Sequence, residues 1–431
     1  MKLRIVLHVS KSADGTLTGT MDSVDQGANG IPFSSISETG GAVRFELKSI
    51  ASVFEGTLDA EKSHIAGKWR QGGASLPLTF ERTDKAIELN RPQEPKKPYP
   101  YNEEDVNYEN KKAGVKLAGT LTWPRASGPF PTVLLITGSG PQDRNEALMG
   151  HKPFLVLSDY LTRRGIAVLR VDDRGEGGST GSTMNSTSAD FAGDVLTGIE
   201  FLKSRKEVNP AQIGLIGHSE GGLIAPMVAA DSSYVAFIVM MAGPGMKGFE
   251  ILDAQAAAIA KAMGASADSI SQNRTMQEQM FAIVRSEQDP AAAEKKIREA
   301  WSKAMAQLPA EQQKARAGAL DAQLKMVLSP WFRYFLDYDP APALKKTKCP
   351  VLAIDGELDL QVPTGNLTKI AEALEAGGNT DFEIVKFPRL NHLFQTSKTG
   401  SPAEYAQIEE TIAPVALETM TGWILRHTQK H

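Results

Sequence analysis

Residues 213–223 read Ile-Gly-Leu-Ile-Gly-His-Ser-Glu-Gly-Gly-Leu, and no other stretch limits the fold so tightly. The segment 213–216 has the apolar density of a short buried strand. Gly217-His218-Ser219-Glu220-Gly221 fits the pattern G-x-S-x-G. Leu223, Ile224, Met227 and Val228 follow at helical spacing. A strand, a sharp turn and a helix around a central serine form the setting in which this pattern becomes a nucleophile elbow. The demand is steric. Ser219 must occupy a strained turn that projects its Oγ from the sheet, and small residues two positions away on either side let strand and helix pass. Five-residue matches arise by chance in long chains, so the pattern needs partners elsewhere.

From about residue 103 the chain alternates strands with helices. Apolar strands are expected at 132–137, 167–171, 213–216, 237–241, 351–354 and 382–387, with helices between them, for example over 154–164 and 190–204. Near-continuous apolar strands joined by helices imply a parallel sheet covered on both faces. Sites in such sheets lie at the carboxyl ends of the strands. The alternation breaks between about 246 and 340, in a stretch rich in Ala, Gln, Met, Glu and Lys. It ends in Trp331-Phe332-Arg333-Tyr334-Phe335. Because this insertion starts at the carboxyl end of strand 237–241, it is expected to form a helical cap over the site rather than a peripheral elaboration.

Upstream, residues 1–84 read as all-β. Alternating runs at 3–9, 42–47 and 76–80 are separated by turn signals such as Asp14-Gly15 and Gly72-Gly73. A small antiparallel barrel or sandwich over 1–90 follows, with His8 and His64 as strand residues rather than ligands. Residues 91–101 hold four prolines. Proline removes donors and fixes φ, so 91–102 is expected to be a semi-rigid linker ahead of a larger domain at 103–431.

Composition excludes several classes. With 41% hydrophobic and 23% charged residues the 431-residue chain is ordinary globular material. A net charge of −4 without long basic runs gives no reason to expect nucleic acid as a partner. No apolar stretch reaches the length of a membrane span. Cys349 is the one cysteine, which rules out an intrachain disulfide and a zinc–thiolate site. No H-E-x-x-H or comparable set appears, so no metal and no cofactor are implied. The chain opens directly in an alternating strand pattern. If a leader has been removed the protein is periplasmic or secreted, and otherwise it is cytoplasmic. A homodimer is left open.

A serine hydroxyl needs a general base, and the base needs an orienting carboxylate. Of seven histidines, His8 and His64 belong to the β-rich part, His427 and His431 to the tail, and His218 diverges from its neighbour at the turn. His151 and His392 remain. His392 follows strand 382–387 in Pro388-Arg389-Leu390-Asn391-His392, a carboxyl-end loop, and is the expected base. His151, in Gly150-His151-Lys152-Pro153, is kept as a substrate-side residue. The acid should lie between serine and histidine in the chain. Asp359, beyond the turn in Val351-Leu-Ala-Ile-Asp-Gly-Glu-Leu-Asp359, is preferred to Asp355 and Glu357. Two N–H donors should hold an oxyanion. One is Glu220, directly after the serine. The other comes from Thr137-Gly138-Ser139-Gly140-Pro141, with Ser139 first and Gly140 second. The loop Asp172-Asp173-Arg174-Gly175-Glu176-Gly177-Gly178-Ser179 lacks a phosphate-loop pattern and is expected to be structural.

These spaced elements resemble the α/β-hydrolase superfamily over roughly 103–431. They are Leu-Leu-Ile-Thr-Gly-Ser-Gly, Asp-Asp-Arg-Gly-Glu-Gly-Gly-Ser, Gly-His-Ser-Glu-Gly-Gly, Asp-Gly-Glu-Leu-Asp-Leu-Gln-Val-Pro and Asn-His392. The chain looks most like bacterial serine carboxylesterases that carry an extra N-terminal β-domain. That resemblance implies an eight-stranded, mostly parallel sheet, a helical cap and ester hydrolysis through an acyl-enzyme. The usual His-Gly before the oxyanion residue is Thr137-Gly138 here. Gly-x-Ser-x-Gly-Gly also occurs in prolyl-oligopeptidase-like peptidases, but those carry a β-propeller for which 90 residues are too few.

The expected activity is hydrolysis of small-molecule esters with small to medium acyl groups. Phe332 and Phe335 either line an acyl pocket under the cap or form only its core. A peptidase or thioesterase with the same triad is the alternative within hydrolases. A binding protein on an inert hydrolase fold is the alternative of another class, against which three triad elements in the right order weigh.

Overall fold

The computed structural model describes residues 4–24, 28–71, 74–85, 89–306, 320–321 and 323–428. The turn expected at Gly72-Gly73, residue 3 of the first strand, and residues 307–319 and 322 of the expected cap lie outside the described residues. Contacts group the chain up to Asn90, with the short Leu148–His151 segment, into one unit and the rest from Arg91 into another.

The first unit is all antiparallel. A three-stranded sheet holds β1 (Ile5–Lys11), β2 (Leu17–Ser23) and β3 (Ala28–Pro32). A five-stranded meander holds β4 (Ser35–Thr39), β5 (Ala42–Leu47), β6 (Ser52–Leu58), β7 (His64–Gln71) and β8 (Ala74–Glu81). Two sheets rather than a closed barrel share an aromatic core, in which Phe45 stacks on Phe54 at 4.9 Å and Trp69 and Met21 are buried. His8 and His64 sit on strands and face carboxylates. His8 Nε2 is 2.7 Å from Asp22 Oδ2, and the His64 backbone N–H donates to Asp59 Oδ1.

The second unit is built on an eight-stranded sheet in the order β9-β10-β12-β11-β13-β14-β15-β16. Here β9 is Asn102–Asn110, β10 Val115–Trp123, β11 Phe130–Ile136, β12 Ala167–Val171, β13 Val208–His218, β14 Phe237–Met241, β15 Val351–Gly356 and β16 Phe382–Phe387. The strands β9 and β10 are antiparallel to their neighbours, and the six from β12 across to β16 run parallel. Every residue of β14 and β15 is buried, as strands covered on both faces must be.

Helices cover both faces. On one side lie α2 (Ser188–Lys203), α3 (Glu220–Asp231) and α9 (Gly365–Ala376), contributing Val195, Ile199, Leu223, Val228 and Ile370. On the other lie α1 (Pro153–Thr162) and α10 (Pro414–Thr428), whose Leu157, Leu161 and Trp423 meet Phe237 and Val239. Helix α2 starts two residues before the sequence-based expectation. Thr187 and Asp190 form a reciprocal capping box, which satisfies two otherwise orphaned N–H groups and fixes the start at Ser188.

Between β14 and β15 the chain is helical: α4 (Gly248–Ala262), α5 (Ala267–Ser286), α6 (Pro290–Met305), α7 (Pro330–Asp337) and α8 (Ala341–Lys346). Residues of α5–α7 build a core of their own around Phe281, Val284, Ile297, Trp331 and Phe332. No helix among the described residues is long and apolar enough to cross a membrane.

Candidate active site

Strand β13 runs straight into Ser219, whose backbone adopts φ 53° and ψ −117°. A left-handed φ on a residue with a side chain is strained and persists only where the surroundings dictate it. They do so here. The Ser219 N–H donates to Met241 O at the end of β14, and Gly222 N–H returns to Ser219 O. A Cβ on Gly217 would stand 2.0 Å from Gly221 O, and one on Gly221 would stand 2.1 Å from Ile136 O. Strand, turn and helix pass at backbone contact, which is why both positions lack side chains.

Asp359 and His392 reach each other from loops after β15 and β16. The His392 Nδ1 lies 2.7 Å from Asp359 Oδ2, and both side chains are almost wholly buried. The other oxygen, Oδ1, accepts the backbone N–H groups of Gln361 and Val362 at 2.7 and 2.8 Å. Asn391 shapes the histidine loop: its buried Oδ1 accepts from Leu393 and Gln395 N–H. Asp355 does not meet His392. Its Oδ1 accepts the Gly356 N–H, and it bonds Asp359. Burial first, and then the Asp359 charge, hold the Asp355 carboxyl well above the usual carboxylate range.

His218 is engaged with the loops on either side of the elbow. Its Nδ1 is 2.9 Å from Glu146 Oε1, its Nε2 is 3.0 Å from the His392 carbonyl oxygen, and its ring lies 4.8 Å from the His392 ring. Burial pulls the imidazole pKa down, but the Glu146 charge and hydrogen bond together with the His392 carbonyl outweigh it, and the net shift is upward. Glu146 Oε1 also accepts the Gly138 N–H at 2.8 Å. One buried carboxylate thus ties the loop after β11 to the loop carrying His392.

That loop, 137–146, is fastened by two further carboxylates. Asp173 accepts Thr137 Oγ1–H at 2.7 Å and Gln142 N–H at 3.0 Å, while its own N–H donates to Gln142 O. Asp172 takes Arg144 Nε and Nη2 at 3.0 and 2.6 Å and the Gly178 N–H at 3.0 Å. Gly140 turns with φ 91°. A Cβ on Gly138 would lie 3.3 Å from Ser219 Cβ, which sets the loop beside the elbow. The acidic segment after β12 therefore works as a clamp.

Burial pushes the Asp173 carboxyl up to about 8, against hydrogen bonds from Thr137 and Gln142 that pull it down. The folded pKa lies above the unfolded one, so the native state binds the extra proton between about pH 4 and pH 8. Stability is therefore lost as pH rises through that window, at up to about 1.4 kcal/mol per pH unit. Asp173→Asn, neutral at every pH, should flatten this part of the slope. Urea unfolding at pH 5 and pH 8 checks it: an unchanged pH dependence in the variant would refute the argument.

The Glu220 side chain is the main feature that sequence reasoning missed. It turns inward and accepts Trp331 Nε1–H from α7 at 2.9 and 3.1 Å and Ser188 Oγ–H from α2 at 2.6 Å. Burial raises its carboxyl pKa, and the bonds from Ser188, Trp331 and Ser139 lower it, with burial the stronger.

The remaining expected residues are dispersed. Phe332 lines a cavity of about 580 Å³ inside the helical insertion, with Leu252, Ile259, Met280, Ile297 and Trp301. Phe335 instead belongs to the core of the large sheet and stacks on Trp331 at 6.0 Å. His151 is buried, and its backbone pairs with Leu148 in an isolated bridge. Among the described residues no group of three or more His, Cys, Asp or Glu is placed to hold a metal ion.

The sheet order, the strained serine between β13 and α3, and the helices on both faces define an α/β-hydrolase. The chain belongs to the X-Pro dipeptidyl-peptidase (S15) family, which residues 113–393 match. It is 28% identical to the esterase EstD of Thermotoga maritima over 345 residues, covering 78% of this chain and 73% of that one. Over 122 residues it is 34% identical to the putative hydrolase YtaP of Bacillus subtilis, covering 25% and 41% of the two chains. Among solved structures it is similar to an α/β-hydrolase, GrgF, from a Penicillium species, with a TM-score of 0.49, 17% identity and coverage of 76% and 99%. It is likewise similar to the Pyrococcus furiosus esterase Pf2001, with a TM-score of 0.46, 17% identity and coverage of 79% and 98%.

Proposed function

We propose that this hydrolase is a serine carboxylesterase. The 2.7 Å bond between His392 Nδ1 and Asp359 Oδ2 carries the reading. With Nδ1 committed to the carboxylate, Nε2 is the nitrogen left to take the Ser219 proton. Ser219 Oγ then attacks an ester carbonyl, and His392 returns the proton to the leaving alcohol. Water, deprotonated by the same imidazole, releases the acyl group from Ser219. Asp359 holds the tautomer and stabilises the imidazolium.

Two backbone N–H groups would take the developing oxyanion. Glu220 is the first residue of α3, and first-turn N–H groups have no partner within their helix. On the other side the Gly138 N–H is taken by Glu146. That favours Ser139, with Gly140 second. The helical insertion would act as the cap, and Phe332 would border the acyl end of the pocket. Small to medium acyl groups fit this reading.

Identity to an esterase over most of the chain favours esters. The family's description favours a second reading, removal of X-Pro dipeptides from peptides with the same triad. A fluorophosphonate should label Ser219, as mapped by peptide mass spectrometry. p-Nitrophenyl acetate and butyrate should turn over well above X-Pro p-nitroanilides. The reverse preference would install the peptidase reading, and labelling elsewhere would defeat both.

A further inference from the structure

We propose that the Glu220 side chain is a positioning residue that couples the helical insertion to the nucleophile elbow, an inference resting on the ester-hydrolase reading above. Its carboxylate is the meeting point of three elements. Trp331 reaches it from α7 and Ser188 from the first turn of α2, and the carboxylate belongs to the first residue of α3. Glu220 itself directly follows Ser219. One buried group therefore holds the insertion, and it belongs to the residue that follows Ser219 and supplies the first proposed oxyanion N–H.

Energetics make this junction stiff. A carboxylate buried this deeply is costly unless its oxygens are satisfied. The indole N–H can only donate, so Trp331 has no substitute for an acceptor in a dry site. A shift of α7 would orphan the indole or pull the carboxylate with it, and the first turn of α3 would follow. Because the Glu220 N–H is itself a proposed oxyanion donor, displacement of the insertion is passed to the transition state rather than to substrate binding. A misplacement of about 1 Å in such a donor lowers rate by about 10²-fold.

Substrates that seat α7 correctly should therefore gain in kcat, with KM little changed. The test uses the full chain with E220A, E220Q and W331F, measuring p-nitrophenyl butyrate kinetics per Ser219 titrated by fluorophosphonate. Counting titrated sites removes unfolded protein from the comparison. E220A and W331F are expected to lose about 10- to 100-fold in kcat, with KM within about threefold of wild type. E220Q should recover most of the loss, because its amide oxygen still accepts from Trp331. Wild-type kcat per titrated site in W331F, with only a lowered Tm, would overturn the proposal, and so would E220Q no better than E220A. If E220A does not fold, W331F and E220Q decide. Absence of Ser219 labelling in the wild-type chain defeats the ester-hydrolase reading itself, and this coupling with it.

Discussion

Ser219→Ala should lower ester turnover by about 10⁶-fold while leaving the fold intact. The size follows from the triad acting as a unit: without Oγ, the imidazole and its carboxylate have nothing to activate. The fold should survive because the contacts that force the turn are backbone contacts. Ser219 N–H donates to Met241 O and Gly222 N–H to Ser219 O, and alanine keeps both. Alanine also meets the same steric cost at φ 53° as serine does. Circular dichroism and Tm should match wild type, and fluorophosphonate labelling should vanish. Residual turnover above about a thousandth of wild type would remove Ser219 from the nucleophile's role.

Asp359→Asn should cost about 10⁴-fold in kcat, with little change in KM. The argument is one of forced orientation. Asp359 Oδ1 accepts two backbone N–H groups, from Gln361 and Val362. An asparagine here must keep its carbonyl oxygen toward those donors, which turns its NH₂ toward His392 Nδ1. That nitrogen then has to accept, so the ring proton moves to Nε2. His392 then has no lone pair facing the serine. Burst kinetics with p-nitrophenyl acetate would show the loss in acylation. A variant within tenfold of wild type would mean that another carboxylate orients the base.

Much of this was legible in the sequence. The apolar density of 213–216, the small residues around Ser219 and the alternation downstream predict a parallel sheet with a serine elbow, and β13–α3 has that form. Strand boundaries were harder. β13 begins at Val208, ahead of the apolar run, because Val208 pairs with Phe130 across a register irregularity that no periodicity reveals. The supports of the site were not legible at all. Glu146 and His218 are 72 positions apart and Glu220 and Trp331 are 111 apart. A lone glutamate in a sequence reads as surface. Only the fold buries these side chains, and only burial makes their hydrogen bonds matter. The clamp formed by Asp172 and Asp173 lay between. The acidic run was visible as a loop beside the site, but its partners Thr137, Gln142 and Arg144 follow from the pairing of β11 with β12.

The order in which the sheet is laid down has a consequence for biosynthesis. The loop after β11, the serine after β13, the carboxylate after β15 and the imidazole after β16 come from four separate crossovers, and the last of them arrives only at residue 392. A nascent chain that has not yet reached His392 therefore lacks the proposed general base. Under the proposed roles, hydrolysis cannot begin before that histidine is in place, and a covalent serine probe reads out how many molecules have completed β16 and the loop after it.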